Sequence, residues 1–384
     1  MKKIPKRGIL IALGELFLKS ERVREIFKRV LIENISFFLK KKNLNFRIYR
    51  LRTRMFVETN QVKKALIVLK NIFGISWLAD SFFFEKTTIK KFSTFLTKNY
   101  QNWIKKGETF AIRLKKGETK ENREEIIDEI TKMIKRKVNL SNPKKEVFVE
   151  VRKNDWFLYF KKIKGQGGLP VGTSEKVLSF ISGGIDSSVA AFLVAKRGTE
   201  NIWLHFHSFP LVSKASIEKI KELAKVFLNY QPYLKIYLIP FQAAQIEVKI
   251  KIPPKYRILL YRRLMFKIAE KIAKKENCSA LVTGESLAQV SSQTLPNLNI
   301  IEEGIKIPIL RPLIGMDKEE IINLAKKIKT FQISIKPQED CCTLFVPKHQ
   351  TAKGNLEIIK ELEKKLEIKK IIQEILEKVE IEKY

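Results

Sequence analysis

The run Val177-Leu178-Ser179-Phe180-Ile181, stopping on Ser182-Gly183-Gly184 and continuing as Ile185-Asp186-Ser187-Ser188, constrains this chain more than any other stretch. The run is short and apolar, as a buried strand is, whereas residues 189–198 have helical spacing, a basic last turn and a glycine stop. A strand that ends in two glycines and turns into a helix leaves backbone N–H groups and the positive helix end aimed at one point, which suits a phosphate. Ser182, Ser187 and Ser188 add hydroxyl donors around that point. No Gly-x-x-x-x-Gly-Lys-Ser/Thr string occurs in the chain, so the signal does not come from a Walker-type loop.

Downstream, strand-like runs at 201–208, 233–240 and 280–284 alternate with helical ones at 214–229, 256–275 and 317–329. Such alternation predicts a parallel sheet with helices on both faces and ligands at the carboxyl ends of the strands. His205 and His207 share a face of the second strand; with no third ligand at metal spacing, no metal site is expected, and contact with a nucleotide on the neighbouring strand is the better reading. Residues 356–382 read as one Lys/Glu-rich amphipathic helix.

Upstream, residues 8–14, 46–51, 55–59 and 76–84 read as strands and 21–40 and 61–73 as helices, the βαββαβ order of a ferredoxin-like unit. A second module follows, with helices at 90–105 and 122–137 and strands at 109–114, 146–152 and 156–160. Charge separates the halves: residues 1–175 carry 41 basic against 18 acidic side chains, and the remainder 34 against 23. A polyanion is the natural partner of the first half. Arg113, Lys115, Lys116, Lys135, Arg136 and Lys137 cluster there with few aromatics among them, which favours contacts to the phosphates of structured RNA over base stacking. A Gly/Pro-rich connector at 164–173 marks the main boundary, giving expected domains at 1–78, 79–166 and 174–384. With no leader pattern and no long uncharged apolar run, the chain is expected to stay in the cytoplasm, and three cysteines, two of them adjacent, form no disulfide framework.

Beyond the Ser182–Ser188 turn, which is similar to the PP-loop of ATP pyrophosphatases, longer strings narrow the resemblance: Gly14-Glu15-Leu16-Phe17-Leu18-Lys19, Gly167-Gly168-Leu169-Pro170-Val171-Gly172-Thr173, the run from Thr283 to Thr294, that from Arg311 to Lys318, and Glu339-Asp340-Cys341-Cys342-Thr343. Together they resemble the tRNA 4-thiouridine synthetases, tRNA sulfurtransferases that are also linked to thiamine biosynthesis. The resemblance implies a ferredoxin-like domain, a THUMP RNA-binding domain and a PP-loop domain. It implies that Ser182, Gly183, Gly184 and Ser187 hold ATP phosphates, that Asp186 and Lys318 act near the pyrophosphate with Mg2+, and that Phe180, Ile181, His205, Phe206, Arg262, Gly284 and Gln293 contact the nucleotide. It also implies that Cys341, with Cys342 as its rival, carries a persulfide.

Some members of that family carry a C-terminal rhodanese domain whose cysteine accepts sulfur. None is expected after residues 356–382, so the expected partners are tRNA, a separate persulfide donor (a cysteine desulfurase or rhodanese-type protein) or sulfide, and, optionally, a second copy of the chain. An iron–sulfur cluster on Cys278, Cys341 and Cys342 is the less favoured route, because adjacent cysteines are awkward joint ligands to one iron. Cys278 reads most simply as a buried small hydrophobe. Other readings of the whole chain are a different PP-loop tRNA-modifying enzyme or a non-catalytic RNA-binding protein, and sulfur delivery to a thiamine-pathway carrier protein rests on the family analogy.

Overall fold

Along β1 (Lys6–Leu13), Ile9 and Ile11 face one side of a sheet and Leu10 the other, the period of two that a strand imposes. The structure, a computed structural model, describes residues 5–15, 20–51, 53–117, 119, 122–337, 345 and 351–384, in two units, Met1–Pro170 and Val171–Tyr384.

In the first unit β1 pairs antiparallel with β3 (Arg54–Glu58) and β4 (Ile75–Phe84), and β2 (Arg47–Arg50) lies outside β3. Leu31, Ile35 and Leu39 of α1 (Glu21–Lys41) and Leu69 of α2 (Val62–Leu69) bury against Ile9 and Ile11, completing the expected βαββαβ order. β4 runs on past the expected break at residue 78: Ser81–Phe84 pair with β7 (Asp155–Tyr159), beyond which lie β6 (Lys145–Arg152) and β5 (Phe110–Lys116). One sheet, β2-β3-β1-β4-β7-β6-β5 with the short β8 (Ile163–Lys164) on β4, therefore serves both N-terminal modules. α3 (Ile89–Asn99) and α4 (Arg123–Met133) pack on the second half through Phe92, Leu96, Ile126 and Ile130. The opposite face carries a cluster drawn from the strands themselves, with Phe56, Ala79, Phe83, Phe157 and Tyr159 at its centre. α4 stops short of the expected residue 137 because Ile134 turns extended (φ −99°, ψ 97°) to reach the core, where it is 2% exposed.

The second unit has the sheet order β13-β12-β9-β10-β11-β14. β9 (Lys176–Phe180), β10 (Glu200–His207), β11 (Lys235–Pro240), β12 (Ala280–Val282) and β13 (Ile309–Leu310) are parallel, as expected. α5 (Ile185–Ala195), α6 (Ala215–Phe227), α8 (Arg257–Lys275) and α10 (Lys318–Ile328) fall where helical spacing predicts them. α7 (Gln242–Lys251), α9 (Leu295–Glu302) and the single-turn α11 (Phe331–Ser334) were not legible in the periodicity. The C-terminal region corrects the expectation of one helix. It forms α12 (Leu356–Glu363), α13 (Ile368–Glu377) and an antiparallel edge strand, β14 (Glu380–Lys383), which pairs with β11. Ile359, Leu362, Leu366, Ile371, Ile372 and Ile375 bury in the core, and the break between the helices lets Leu366 turn inward with them. β14 then satisfies the backbone of β11, whose outer edge would otherwise lie unpaired.

Candidate nucleotide site

The chain runs from β9 to β10 and β11 on one side, then crosses back to β12 on the other, so the strand order reverses beside β9. A crevice opens at the carboxyl ends of strands at such a switch point, and the Ser182–Ser187 turn sits there. Gly183 has φ +88°, a left-handed conformation that glycine adopts without strain. Gly184 is the N-cap of α5 and supplies no side-chain cap, which leaves the first-turn N–H groups open toward an anion. The Ser187 hydroxyl ties the turn together, accepting from Ser182 N (3.3 Å) and donating to Gly184 O (3.2 Å). The helix begins at Ile185 rather than at residue 189, and Ser188 secures that start by bonding Ile185 O (3.0 Å) and the Thr330 hydroxyl (3.2 Å).

Two distant stretches, the start of α10 and the segment after β12, meet over this turn. Lys318, the first residue of α10, reaches Asp186 Oδ1 at 2.6 Å, and Gln289 Nε2 donates to Asp186 Oδ2 at 3.0 Å. Asp317 caps α10 in a reciprocal box with Glu320, which fixes where Lys318 begins. Gly284, following β12, packs on the same turn: a Cβ there would lie 2.8 Å from the backbone of Asp186 and Ser187, so only glycine admits this approach.

His205 is 2% exposed and lies beneath the turn. Its Nδ1 stands 2.8 Å from Ile181 O and its Nε2 3.3 Å from Ser216 Oγ; since a carbonyl only accepts, the proton is assigned to Nδ1. His205 thus orients Ile181 rather than presenting a ring nitrogen to a ligand. Burial, with a smaller push from His207, lowers its pKa from 6.5 to about 4 against the Ile181 bond, which acts the other way. The folded state therefore loses stability as pH falls from 6.5 toward 4, by about 2 kcal/mol at pH 5 relative to pH 8. Urea titrations at the two pH values check this, and His205→Gln is expected to flatten the difference.

Phe180 stacks near Phe206 (6.0 Å) and against Phe266 of α8 (4.9 Å), forming an aromatic wall with the Arg262 guanidinium 5.9 Å from the Phe266 ring. Arg262 is paired with Glu285, a residue that sequence reasoning did not single out. Glu285 is 2% exposed and also takes Arg311 Nε (2.6 Å) and the Thr283 hydroxyl (2.8 Å). Burial alone would raise its carboxyl, but the two guanidiniums outweigh burial and hold it below the usual range. Glu285, Gln289 and Arg311 all lie in strings that the family resemblance singles out, yet nothing in their spacing tells which neighbours they bind. Gln293 Oε1 is buried with no hydrogen-bond partner among the described residues, an acceptor left for a donor.

Cys341 and Cys342 lie outside the described residues. Cys278 precedes β12, where Ser279 N bonds Lys176 O at the amino end of β9, so it sits at the opposite end of the strands from the Ser182 turn. Burial pushes its thiol up to about 12, and it packs in the core as expected of a small hydrophobe.

In the first unit, Lys115, Lys116, Lys135 and Lys137 are exposed. Arg113 is engaged by Glu146 (2.8 Å) and Leu140 O (3.1 Å), and Arg136 by Lys105 O (3.0 Å) and the Tyr100 ring. The pleat of β5 sends Arg113 and Lys115 to one face and Lys116 to the other, so the six do not form a single patch. Missed by sequence reasoning is a cationic group around the buried Glu150, which binds Arg54 (3.0 Å) and Arg152 (2.5 Å). Although most of the Lys115 side chain is exposed, partial desolvation of its ammonium, followed by the nearby Arg54 charge, lowers its pKa. Lys162 lies over the Trp77 and Phe148 rings.

A parallel α/β sheet with a Ser-Gly-Gly-x-Asp-Ser turn at its switch point defines a PP-loop nucleotide-binding domain, here on one chain with a basic ferredoxin-like and THUMP unit. Family models match as "Thiamine biosynthesis protein (ThiI)" over residues 172–368, "ThiI ferredoxin-like domain" over 8–79 and "THUMP domain" over 94–161. The chain is 39% identical over 384 residues to a "Probable tRNA sulfurtransferase" of Thermoanaerobacter sp. (strain X514), covering 97% of this chain and 98% of that protein. It is 36% identical over 389 residues to the protein of the same name from Alkaliphilus metalliredigens (strain QYMF), covering 98% and 97%. A solved 4-thiouridine synthetase in an RNA complex with bound ATP matches with a TM-score of 0.89 at 31% identity, over 98% of this chain and 99% of that one. The chain belongs to the tRNA sulfurtransferase family.

Among the described residues no helix is long and apolar enough to cross a membrane.

Proposed function

We propose that this chain is an ATP-dependent, cytoplasmic tRNA sulfurtransferase that activates uridine 8 of tRNA and replaces its oxygen 4 by sulfur, giving 4-thiouridine. The observation that carries this reading is the meeting of Asp186, Lys318 and Gln289 over the uncapped start of α5. Ser182, Gly183, Gly184 and Ser187 hold the phosphates, and the aromatic wall with Ile181, Arg262, Gly284 and Gln293 lines the nucleoside. Lys318 neutralises charge building on the leaving pyrophosphate as the uridine oxygen bonds the α-phosphorus. Asp186 is the carboxylate that would hold Mg2+, which when bound would supply further neutralisation of phosphate charge.

Cys341 carries a persulfide whose outer sulfur attacks carbon 4 and displaces AMP. A second thiol then breaks the sulfur–sulfur bond, leaving 4-thiouridine and a disulfide that an external thiol reduces. A separate persulfide donor then reloads the cysteine by handing over its outer sulfur and leaving as a thiol; where sulfide is the source, it attacks the disulfide in place of the external thiol, giving the Cys341 persulfide and a free thiol. The exposed lysines of the first unit, with Arg152 and Lys162, contact RNA phosphates. Nucleoside analysis of tRNA incubated with the protein, ATP, Mg2+ and sulfide or a persulfide donor tests this reading: 4-thiouridine at position 8 is expected, and another modified nucleoside, or none, overturns it.

A further inference from the structure

Arg262 leaves α8 with its side chain 16% exposed, and among the described residues its one hydrogen-bond partner is the carboxylate of Glu285. Its other contact is the Phe266 ring, part of the aromatic wall, whose centre lies 5.9 Å from the guanidinium carbon. An arginine side chain has many rotamers to lose, and a bond to a fixed acceptor selects among them.

Glu285 is such an acceptor, because the chain on both sides of it is pinned. Before it, Gly284 lies so close to the Ser182–Ser187 turn that a Cβ would come 2.8 Å from the backbone of Asp186 and Ser187, and Thr283 N bonds Leu310 O (3.0 Å). After it, the Ser286 hydroxyl bonds Met316 O (2.8 Å) and Leu287 N bonds Ile314 O (3.1 Å). The carboxylate itself takes the Thr283 hydroxyl (2.8 Å) and Arg311 Nε (2.6 Å). Arg311 also pairs with Glu302 (2.8 Å), so its charge is shared between two acids, whereas Glu285 is the one acid paired with Arg262 among the described residues. The bonds from Ser286 and Leu287 reach the turn ahead of Lys318 without involving the Glu285 side chain. The phosphate side of the site and Arg262 therefore have separate supports.

We propose that Glu285 is a positioning residue for nucleotide binding: it aims the Arg262 guanidinium along the aromatic wall, and acts on ATP only through Arg262. This rests on the reading that Arg262 lines the nucleoside. Losing a hydrogen bond made by a charged group weakens binding by about 10-fold or more. In Glu285→Gln, which keeps the shape but not the charge, the Kd for ATP by equilibrium dialysis is expected to rise about 10-fold. KM for ATP in tRNA-dependent pyrophosphate release should rise with it, while kcat at saturating ATP and affinity for tRNA stay at wild-type values. In an Arg262→Gln background the second substitution is expected to add nothing to the Kd, since no guanidinium is left to aim. A purely structural role would instead lower the urea midpoint and kcat and leave the Kd for ATP unmoved. Glu285→Asp, which keeps the charge but draws it back by one methylene, should raise the Kd by a smaller factor, and it carries the test if Glu285→Gln fails to fold. A wild-type Kd for ATP in the Glu285 variants that fold, or effects that add to those of Arg262→Gln, overturns the proposal. Arg262→Gln alone separates the two readings: if it leaves the Kd unchanged, the place of Arg262 at the nucleoside fails and the proposal with it. If it raises the Kd and the Glu285 variants do not, only the positioning role fails.

Discussion

Asp186→Ala is expected to lower tRNA-dependent pyrophosphate release by on the order of 100- to 1,000-fold, the usual loss when a preorganised electrostatic group is removed from a reacting centre. The side chain is the meeting point of Lys318 and Gln289, so its removal frees both from the turn that presents the phosphates. Folding should be almost untouched. Lys318 is 45% exposed in this pair, and an ion pair so open to water contributes about 1 kcal/mol or less. Affinity for tRNA should also hold, because the exposed lysines proposed to contact RNA belong to the first unit. Pyrophosphate release and a mobility-shift titration with tRNA measure the two quantities separately. Retained thiolation in Asp186→Ala would sink the assignment of this site. Asp186→Asn is expected to lose nearly as much, since the amide keeps the shape but not the charge that holds Lys318.

Cys341→Ser is expected to abolish 4-thiouridine while leaving pyrophosphate release intact. A hydroxyl cannot hold a persulfide, but it leaves the ATP side of the site untouched. The same nucleoside assay decides between neighbours: if Cys342→Ser alone abolishes the product, the sulfur carrier is Cys342. Cys278→Ser should still thiolate, because that thiol is buried in the core at the far end of the strands from the Ser182 turn, where burial keeps it protonated.

Much of this architecture was legible because it is written in local spacing. The apolar run before Ser182, the helical period after it and the βαββαβ order upstream each depend on residues close together in the chain, and each appears where expected. What escaped was set by distant partners. Helical spacing runs through residues 356–382, yet the last four-residue element is a strand, because the open edge of β11 offers backbone partners that periodicity cannot reveal. α4 ends early for the sake of one buried isoleucine, Ile134. α7 and α9 are short, and their apolar residues do not trace one clean stripe.

The candidate site divides in the same way. Glycines, serines and a strand-to-helix turn pointed by themselves to a phosphate-sized anion at Ser182–Ser187, because the backbone N–H groups that would hold it lie within a few residues of one another. Only the tertiary structure decided that Lys318 and Gln289 share Asp186, that His205 supports the turn from below, and that Glu285 holds Arg262 together with Arg311. Those pairings span from 23 to 132 positions and depend on which strand ends the sheet order brings side by side. Local spacing carries no record of that order, which long-range packing of the sheet sets.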